Sequence, residues 1–157
     1  MPAPASFTGV FTVESVVLDL AARSKPEVLD ELVSAAVASG VLPKARKAQV
    51  LAALTAREER GSTGLGRGIA IPHAKIAGLR KHSGLIARSH AGVDFRAVDG
   101  EPVHVMVVLI SPEGRPEEHL ELLKWVSLTA RDPDFTSFIK QARTAQDILD
   151  VLQERAG

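Results

Sequence analysis

Among the residues of this sequence, His73 has the neighbours that best support a chemical role. It follows Pro72 at the end of a short apolar run, in the segment GIAIPHAK (68–75), and the glycine-rich segment RGSTGLGRG (60–68) lies just upstream. Pro72 fixes its own φ and restricts the preceding residue, so we expect His73 to have a defined position at a strand end. A histidine at such a position can be a packed core residue, a metal ligand or a nucleophile.

The glycine-rich segment does not match the common nucleotide-binding loops. A dinucleotide-binding loop has a strand before its glycines and a helix after them, whereas the predicted order here is helix, loop, strand. A Walker loop ends in Gly-Lys-Ser/Thr, which this segment lacks. Two interpretations stay open. The segment is a flexible connector, or its backbone N–H groups, with Gly64 among them, and the hydroxyls of Ser62 and Thr63 line an anion site beside His73.

His119 is the second candidate for chemistry. It shares a face of a predicted helix with Leu122, Leu123 and Val126, which favours a satisfied core histidine. However, it lies in the first helical turn, where the positive end of the helix dipole disfavours a protonated ring. A neutral imidazole at that position can donate one hydrogen bond to an anion.

The remaining histidines and the common hydrolytic motifs give weaker support for a functional site. His104 alternates with apolar neighbours and is predicted to be structural, whereas His82 and His90 lie in polar surroundings and receive no role. A zinc site built on His73 and His119 requires a third ligand at a recognisable spacing, and the sequence contains no HExxH. It also lacks the GxSxG of a nucleophile elbow.

Composition indicates an ordinary globular domain. The 157 residues are 45% hydrophobic and 24% charged, enough to bury one core, and we expect a single domain over 1–157. Nineteen basic residues balance nineteen acidic ones, which argues against a nucleic-acid binder. No cysteine is present, so disulfides and thiolate chemistry are excluded. We expect a cytoplasmic protein, because residues 1–9 lack signal-peptide features and the apolar run near 103–110 is too short to span a bilayer.

The elements that must position these residues follow from the apolar periodicity and the capping signals. Helices are predicted over 24–40, 44–60, 116–130, 135–141 and 144–155, and strands over 68–73, 83–89 and 103–110. Asp99-Gly100 is a hairpin turn signal between VDFRA and the strand at 103–110, so at least one strand pair is antiparallel. The order predicts an α/β three-layer sandwich, a mixed β-sheet flanked by helices.

Three segments together resemble a known family. They are REERGSTGLGRGIAIPHAK (57–75), GVDFRAVDGEPVHVMVVLISP (92–112) and EEHLELLKWVS (117–127). They are similar to the fructose/mannitol-type enzyme IIA domain of the bacterial phosphoenolpyruvate-dependent phosphotransferase system, a family that includes the nitrogen-regulatory enzyme IIA proteins. The resemblance covers about residues 11–155.

The resemblance implies a site and a reaction. His73 would accept a phosphoryl group through Nε2 from the phosphohistidine of the carrier HPr. His119 would be the second active-site histidine, and Arg57 the arginine that stabilises the charge of the transferring group. No metal or organic cofactor is implied. Ala74 stands where many members carry glycine.

Two branches of the family use the phosphoryl group differently. Sugar-type proteins pass it to a cysteine of enzyme IIB, whereas nitrogen-type proteins use their phosphorylation state to regulate target proteins. The chain shows no fused transporter, enzyme IIB or HPr-like segment, which favours the regulatory branch and an indirect association with the membrane. The alternatives are a stand-alone sugar-type enzyme IIA, a binding module without phosphotransfer and a metal-dependent hydrolase.

Overall fold

A mixed β-sheet lies at the centre of the computed structural model, which describes residues 9–156. Its six strands are β1 (Val16–Val17), β2 (Gly64–Gly66), β3 (Ile69–Ala70), β4 (His73–Ile76), β5 (Ser83–Val93) and β6 (Val103–Pro112). The order across the sheet is β1-β5-β6-β3-β2, and β4 also pairs with β6. β5 and β6 are antiparallel, whereas β1 is parallel to β5, and β3 and β4 are parallel to β6. The predicted mixed sheet is confirmed.

Helices cover both faces of this sheet. They are α1 (Lys25–Ala38), α2 (Lys47–Glu59), α3 (Pro116–Ala130), α4 (Pro133–Gln141) and α5 (Ala145–Ala156). One buried cluster joins α1 and α2 to the sheet, and a second joins α3, α4 and α5 to the other face. Met106 and Val108 of β6 belong to the first cluster, and Val105 and Val107 to the second, as alternation along a strand covered on both faces requires. The layers are those of the predicted sandwich.

Element boundaries differ slightly from the predictions, for local reasons. The helix expected to begin at 44 opens with a 3₁₀ turn over Lys44–Arg46, before α2. The helix expected to begin at 135 begins at Pro133, because the Asp132 side chain accepts a hydrogen bond from the N–H of Asp134 and caps it. The N-terminal residues 1–8, where no signal peptide was predicted, and residue 157 lie outside the described residues. Among residues 9–156, no helix combines the length and apolar character of a membrane span.

The connection between β5 and β6 corrects one prediction. Residues 94–102 form a loop, so VDFRA is not a strand paired across a two-residue Asp99-Gly100 hairpin. The Asp94 carboxylate accepts a hydrogen bond from the N–H of Arg96, whose φ is +51°, and this local turn ends the extended conformation. A turn does exist at the predicted place, because the N–H of Gly100 donates to the carbonyl of Ala97. The turn signal located a reversal but not the length of the connection.

Pro72 interrupts the strand that carries His73 without changing its register. Ile69 of β3 lies opposite Val105, and His73 of β4 lies opposite Leu109, so both segments follow β6 with the same offset. The N–H of Leu109 donates to the carbonyl of Pro72 at 3.0 Å, which continues the pairing through the one polar group that the proline backbone retains. His73 therefore begins a strand, rather than ending one as predicted.

Candidate active site

The two ring nitrogens of His73 differ in their protonation. The side chain is half-buried, and its Nδ1 lies 2.7 Å from the carbonyl oxygen of Ile71. A carbonyl oxygen can only accept a hydrogen bond, so Nδ1 carries the proton. In the neutral ring Nε2 then holds the free lone pair, and this is the nitrogen expected to react.

The environment also keeps the His73 ring neutral. Burial lowers the pKa of His73 from its usual value of 6.5, while the hydrogen bond to Ile71 raises it. The positive charge of Arg57 lowers the pKa further, and the carboxylate of Glu58 acts in the opposite direction. The net effect is a lowered pKa, so the ring is an uncharged base at neutral pH, as a nucleophile must be.

His119 lies beside His73, in the first turn of α3. The two ring centroids are 5.7 Å apart, and the ring planes are inclined by 42°. His119 is only 5% exposed, and its pKa is lowered to about 4, mainly by burial and also by the charges of His73, Lys75 and His82. The ring is neutral at physiological pH and has a single N–H, whose position depends on what its nitrogens contact.

The contacts of His119 were not predicted from the sequence. Its Nδ1 lies 2.6 Å from Oγ of Ser111, and the same oxygen lies 2.8 Å from Nδ1 of His82. Ser111 is fully buried and His82 is 6% exposed, so the structure brings His82, which received no role from the sequence, into contact with the same buried hydroxyl as His119. One signal was available: Ser111 is a single polar residue that directly follows the apolar run 105–110.

Arg57 completes the group of three side chains implied by the resemblance. It is half-buried in the last turn of α2, and its Nη1 donates to the carbonyl of Gly61 at 2.7 Å. Its charge acts on the pKa of His73, so the guanidinium lies close to that ring. The structure brings Arg57, His73 and His119 to one site, and their roles in phosphotransfer stay predictions.

The three loop residues predicted to bind phosphate make hydrogen bonds within the protein. The hydroxyl of Ser62 donates to the carbonyl of Phe95 and accepts from the N–H of Gly64 at 3.0 Å. Thr63 donates its N–H to one oxygen of the Glu58 carboxylate at 3.3 Å and its hydroxyl to the other. These bonds fasten the loop to the end of α2 and to the connection between β5 and β6. A phosphate-binding role for the loop stays a prediction, and it requires these bonds to be exchanged.

Lys75 adds a positive charge to the site that sequence reasoning missed. Side chains two residues apart on a strand point to the same face, so Lys75 shares the face of β4 that carries His73. It is exposed, and its charge contributes to lowering the pKa of His119. The i, i+2 spacing was the available signal.

A family model described as "Phosphoenolpyruvate-dependent sugar phosphotransferase system, EIIA 2" matches residues 9–155. The chain belongs to this family. It is therefore a phosphotransferase component, as the resemblance indicated.

Two relatives match this enzyme IIA chain over nearly its whole length. A nitrogen regulatory protein of Bradyrhizobium diazoefficiens is 35% identical over 145 residues, which cover 92% of this chain and 93% of that protein. The fructose-specific EIIABC component of the phosphotransferase system of Bacillus subtilis is 33% identical over 147 residues, which cover 94% of this chain and 23% of that protein.

Solved structures share the fold. The nitrogen regulatory protein IIA-Ntr of Neisseria meningitidis matches with a TM-score of 0.83 at 31% identity, over 91% of this chain and 96% of that one. The mannitol IIA of Escherichia coli matches with a TM-score of 0.72 at 17% identity, over 90% of this chain and 98% of that one, which shows the fold alone.

Proposed function

We propose that this chain is a cytoplasmic phosphohistidine carrier, in which Nε2 of His73 accepts the phosphoryl group from the phosphohistidine of an HPr-type protein. The hydrogen bond from Nδ1 of His73 to the carbonyl of Ile71 carries the proposal. It fixes the tautomer that leaves Nε2 unprotonated, in a half-buried ring whose pKa is lowered.

The transfer balances without a cofactor. The bond between phosphorus and the donor imidazole nitrogen breaks as the bond between phosphorus and Nε2 of His73 forms. Nδ1 of His73 keeps its proton, which it donates in a hydrogen bond to the carbonyl of Ile71. Negative charge on the three equatorial oxygens is what the protein must stabilise, through positioned positive charges and N–H donors. Arg57 supplies a guanidinium, Lys75 a second positive charge, and His119 a neutral ring close to the acceptor.

Protein partners require an accessible acceptor. His73 is half-buried rather than enclosed, and Leu120, next to His119, is 66% exposed. An apolar side chain at the rim suits transient docking of a donor and an acceptor that must each reach the same nitrogen.

The regulatory branch has the stronger support. The nitrogen regulatory relative aligns with this chain over nearly the full length of both proteins, whereas the fructose relative is much longer than the aligned part. We therefore propose that the phosphorylation state of His73 regulates target proteins. The second candidate, a fructose-type enzyme IIA that passes the phosphoryl group to a cysteine of enzyme IIB, is favoured by the identity to the Bacillus subtilis protein. A metal-dependent hydrolase lacks comparable support, since residues 9–156 contain no group of three potential ligands.

Reconstitution tests the proposal. The chain is mixed with phosphoenolpyruvate, enzyme I and HPr, and its intact mass is measured. We expect one added phosphoryl group on the wild type and on His90→Ala, whose ring is exposed, and none on His73→Ala. Retention of the phosphoryl group by His73→Ala would refute the site.

The roles of His119 and of the acceptor protein need separate measurements. His119→Ala should be phosphorylated more slowly than the wild type, still on His73, and an unchanged rate would remove its role. Phosphoryl transfer from His73 to a purified enzyme IIB would favour the sugar branch, whereas transfer to no enzyme IIB would favour the regulatory one.

A further inference from the structure

A row of three buried polar side chains extends from the candidate site into the protein. Nδ1 of His119, Oγ of Ser111 and Nδ1 of His82 are joined by contacts of 2.6 Å and 2.8 Å. At the far end, Nε2 of His82 is buried without a hydrogen-bond partner among the described residues, and Oε2 of Glu118 lies 3.8 Å from it. His82 and Ser111 have no part in the reaction as described above, yet they contact the ring beside the acceptor.

The number of protons available in this row limits its arrangements. The hydroxyl of Ser111 has one proton, which it can donate to only one of the two rings. If both rings donated to Ser111, its buried proton would have no acceptor between them, which is unfavourable. One ring therefore donates to Ser111 and the other accepts from it, so the protonation of His82 and the tautomer of His119 are linked.

With His82 neutral, the position of Glu118 selects one direction. A bare Nε2 lone pair facing a carboxylate is repelled, so Nε2 of His82 carries the proton and its Nδ1 accepts from Ser111. Ser111 then accepts from Nδ1 of His119. This leaves Nε2 of His119 with a lone pair, which cannot donate a hydrogen bond to a phosphoryl oxygen.

With His82 protonated, the direction reverses. Both nitrogens of His82 then donate, one to Ser111 and one towards Glu118. Ser111 donates in turn to Nδ1 of His119, whose proton must lie on Nε2. The neutral His119 ring now presents a donor at the nitrogen that Ser111 does not occupy, which is what a phosphoryl oxygen on the neighbouring His73 requires.

We propose that Ser111 and His82 form a proton relay that positions the proton of His119, and that phosphorylation of His73 moves a proton through this relay to His82. This inference rests on the proposed function, namely that His73 is the phosphoryl acceptor. His82 and Ser111 act through His119 and are positioning residues.

The protons that move along the relay balance. One proton from solvent binds Nε2 of His119. The Nδ1 proton of that ring passes to Oγ of Ser111, and the hydroxyl proton of Ser111 passes to Nδ1 of His82. One proton enters, no electrons move, and dephosphorylation reverses the sequence. The positive charge then lies on His82 beside a carboxylate, rather than on the buried ring of His119.

The charges around His82 fit this role. Burial lowers the pKa of His82 from 6.5, the carboxylate of Glu118 raises it, and Arg115 lowers it, so the ring is neutral before phosphorylation. Arg115 itself lies 3.7 Å from the other oxygen of Glu118. Glu14 of the 3₁₀ turn before β1 and Lys81 line the same cavity of about 220 Å³ as His82.

Nitrogen NMR of the histidine rings tests the relay in the wild-type protein. Spectra are recorded at pH 7 before phosphorylation and under steady phosphorylation by phosphoenolpyruvate, enzyme I and HPr. We expect the proton of His119 to move from Nδ1 to Nε2 and His82 to change from neutral to imidazolium. The pKa of His82 should be higher in the phosphorylated protein. Identical His82 resonances in the two states would overturn the relay.

Two variants separate the relay from a purely structural role. Ser111→Ala breaks the row. We expect roughly tenfold slower phosphorylation, because this is the effect on a rate of losing one ordinary buried hydrogen bond. His82→Asn keeps an amide that can donate to Ser111 but cannot take up a proton. We expect the phosphorylation of this variant to depend on pH differently from that of the wild type.

The pH dependence of phosphorylation is the measurement that a change in packing alone would not alter. Because the relay takes up one proton, the equilibrium constant for phosphoryl transfer from HPr should fall as the pH rises. This fall should be steeper in the wild type than in His82→Asn, by up to tenfold per pH unit. His90→Asn, which replaces an exposed ring, should follow the wild type. Parallel profiles for the wild type and His82→Asn would refute the relay even if Ser111→Ala failed to fold.

The two proposals can fail separately. A wild-type chain that gains no phosphoryl group on His73 in the mass measurement refutes the proposed function, and the relay with it. If the chain is phosphorylated on His73, but the His82 resonances of the wild type do not change and His82→Asn has the wild-type pH profile, the relay alone is refuted.

Discussion

Lowering the pH from 7 to 5 should weaken the folded state through His119. Its ring is 5% exposed and its pKa in the folded protein is about 4, whereas in an unfolded chain a histidine pKa is about 6.5. The stability that comes from keeping this ring neutral is fully present above pH 6.5 and is lost as the pH falls towards 4. At pH 5 the unfolded ring is almost fully protonated and the folded ring is mostly neutral, so linkage gives a loss of about 2 kcal/mol from this one residue.

Other titrating groups do not hide this effect. Backbone hydrogen bonds lower the pKa of Asp99 and Asp147 below 3.8, so the stability they contribute is lost only at lower pH. Burial also lowers the pKa values of His73 and His82, and these two rings add to the acid sensitivity of the wild type and of a His119 variant alike.

Urea unfolding at pH 7 and pH 5 measures the effect as a difference of differences. Between these pH values, the free energy of unfolding of the wild type should fall by about 2 kcal/mol more than that of His119→Asn. Any overall change in stability caused by the substitution cancels in this comparison. His90→Asn, which removes an exposed ring, should fall as the wild type does. An equal loss in the wild type and in His119→Asn would refute the reasoning.

Three further substitutions test the fold and the site. Gly84→Ala should lower the free energy of unfolding by about 1–3 kcal/mol, measured by urea denaturation, because its Cβ would lie 2.5 Å from the ring of Phe11. Arg88→Met should lower it by at least about 2 kcal/mol in the same assay, because the buried guanidinium donates to backbone carbonyls at the end of α4, including that of Ile139 at 3.0 Å. Lys75→Gln should slow phosphorylation by HPr severalfold at low ionic strength, and the difference should shrink as salt screens the lost charge.

Matched controls make these three predictions specific. Gly114→Ala introduces a Cβ with no described atom within 4 Å and should leave stability unchanged. Arg23→Met replaces an exposed arginine and should do the same. Lys124→Gln removes an exposed charge from α3 and should not slow phosphorylation. Equal effects of a variant and its control would contradict the corresponding explanation.

Local signals were enough to predict most of the elements. The side chain of Ser24 caps α1 by accepting a hydrogen bond from the N–H of Glu27, and Ser and Glu three residues apart have the spacing of a capping box. The apolar run at 103–110 became β6, buried between two helical layers. In both cases a property of a few neighbouring residues determines the outcome, so the sequence is informative by itself.

The features that were missed depend on contacts between distant segments. His82 and Ser111 are 29 positions apart and meet because β5 and β6 pair, which periodicity within one segment does not report. The hydroxyl of Ser62 likewise donates to Phe95, 33 positions away, in a loop whose shape was not predicted. Candidate residues could be named from their types and motifs, but their hydrogen-bond partners required the register of the sheet.

The register of the strand that carries His73 also determines what phosphorylation can communicate. Because the carbonyl of Pro72 holds this segment to β6, the backbone of His73 belongs to the central sheet rather than to a hinged loop. Displacing the backbone of His73 would break the pairing of β4 with β6. Under the proposed function, a partner would meet the same backbone before and after the reaction, and would distinguish the two forms by a phosphoryl group and its negative charge at a fixed point. Recognition of that charge should weaken as the ionic strength rises.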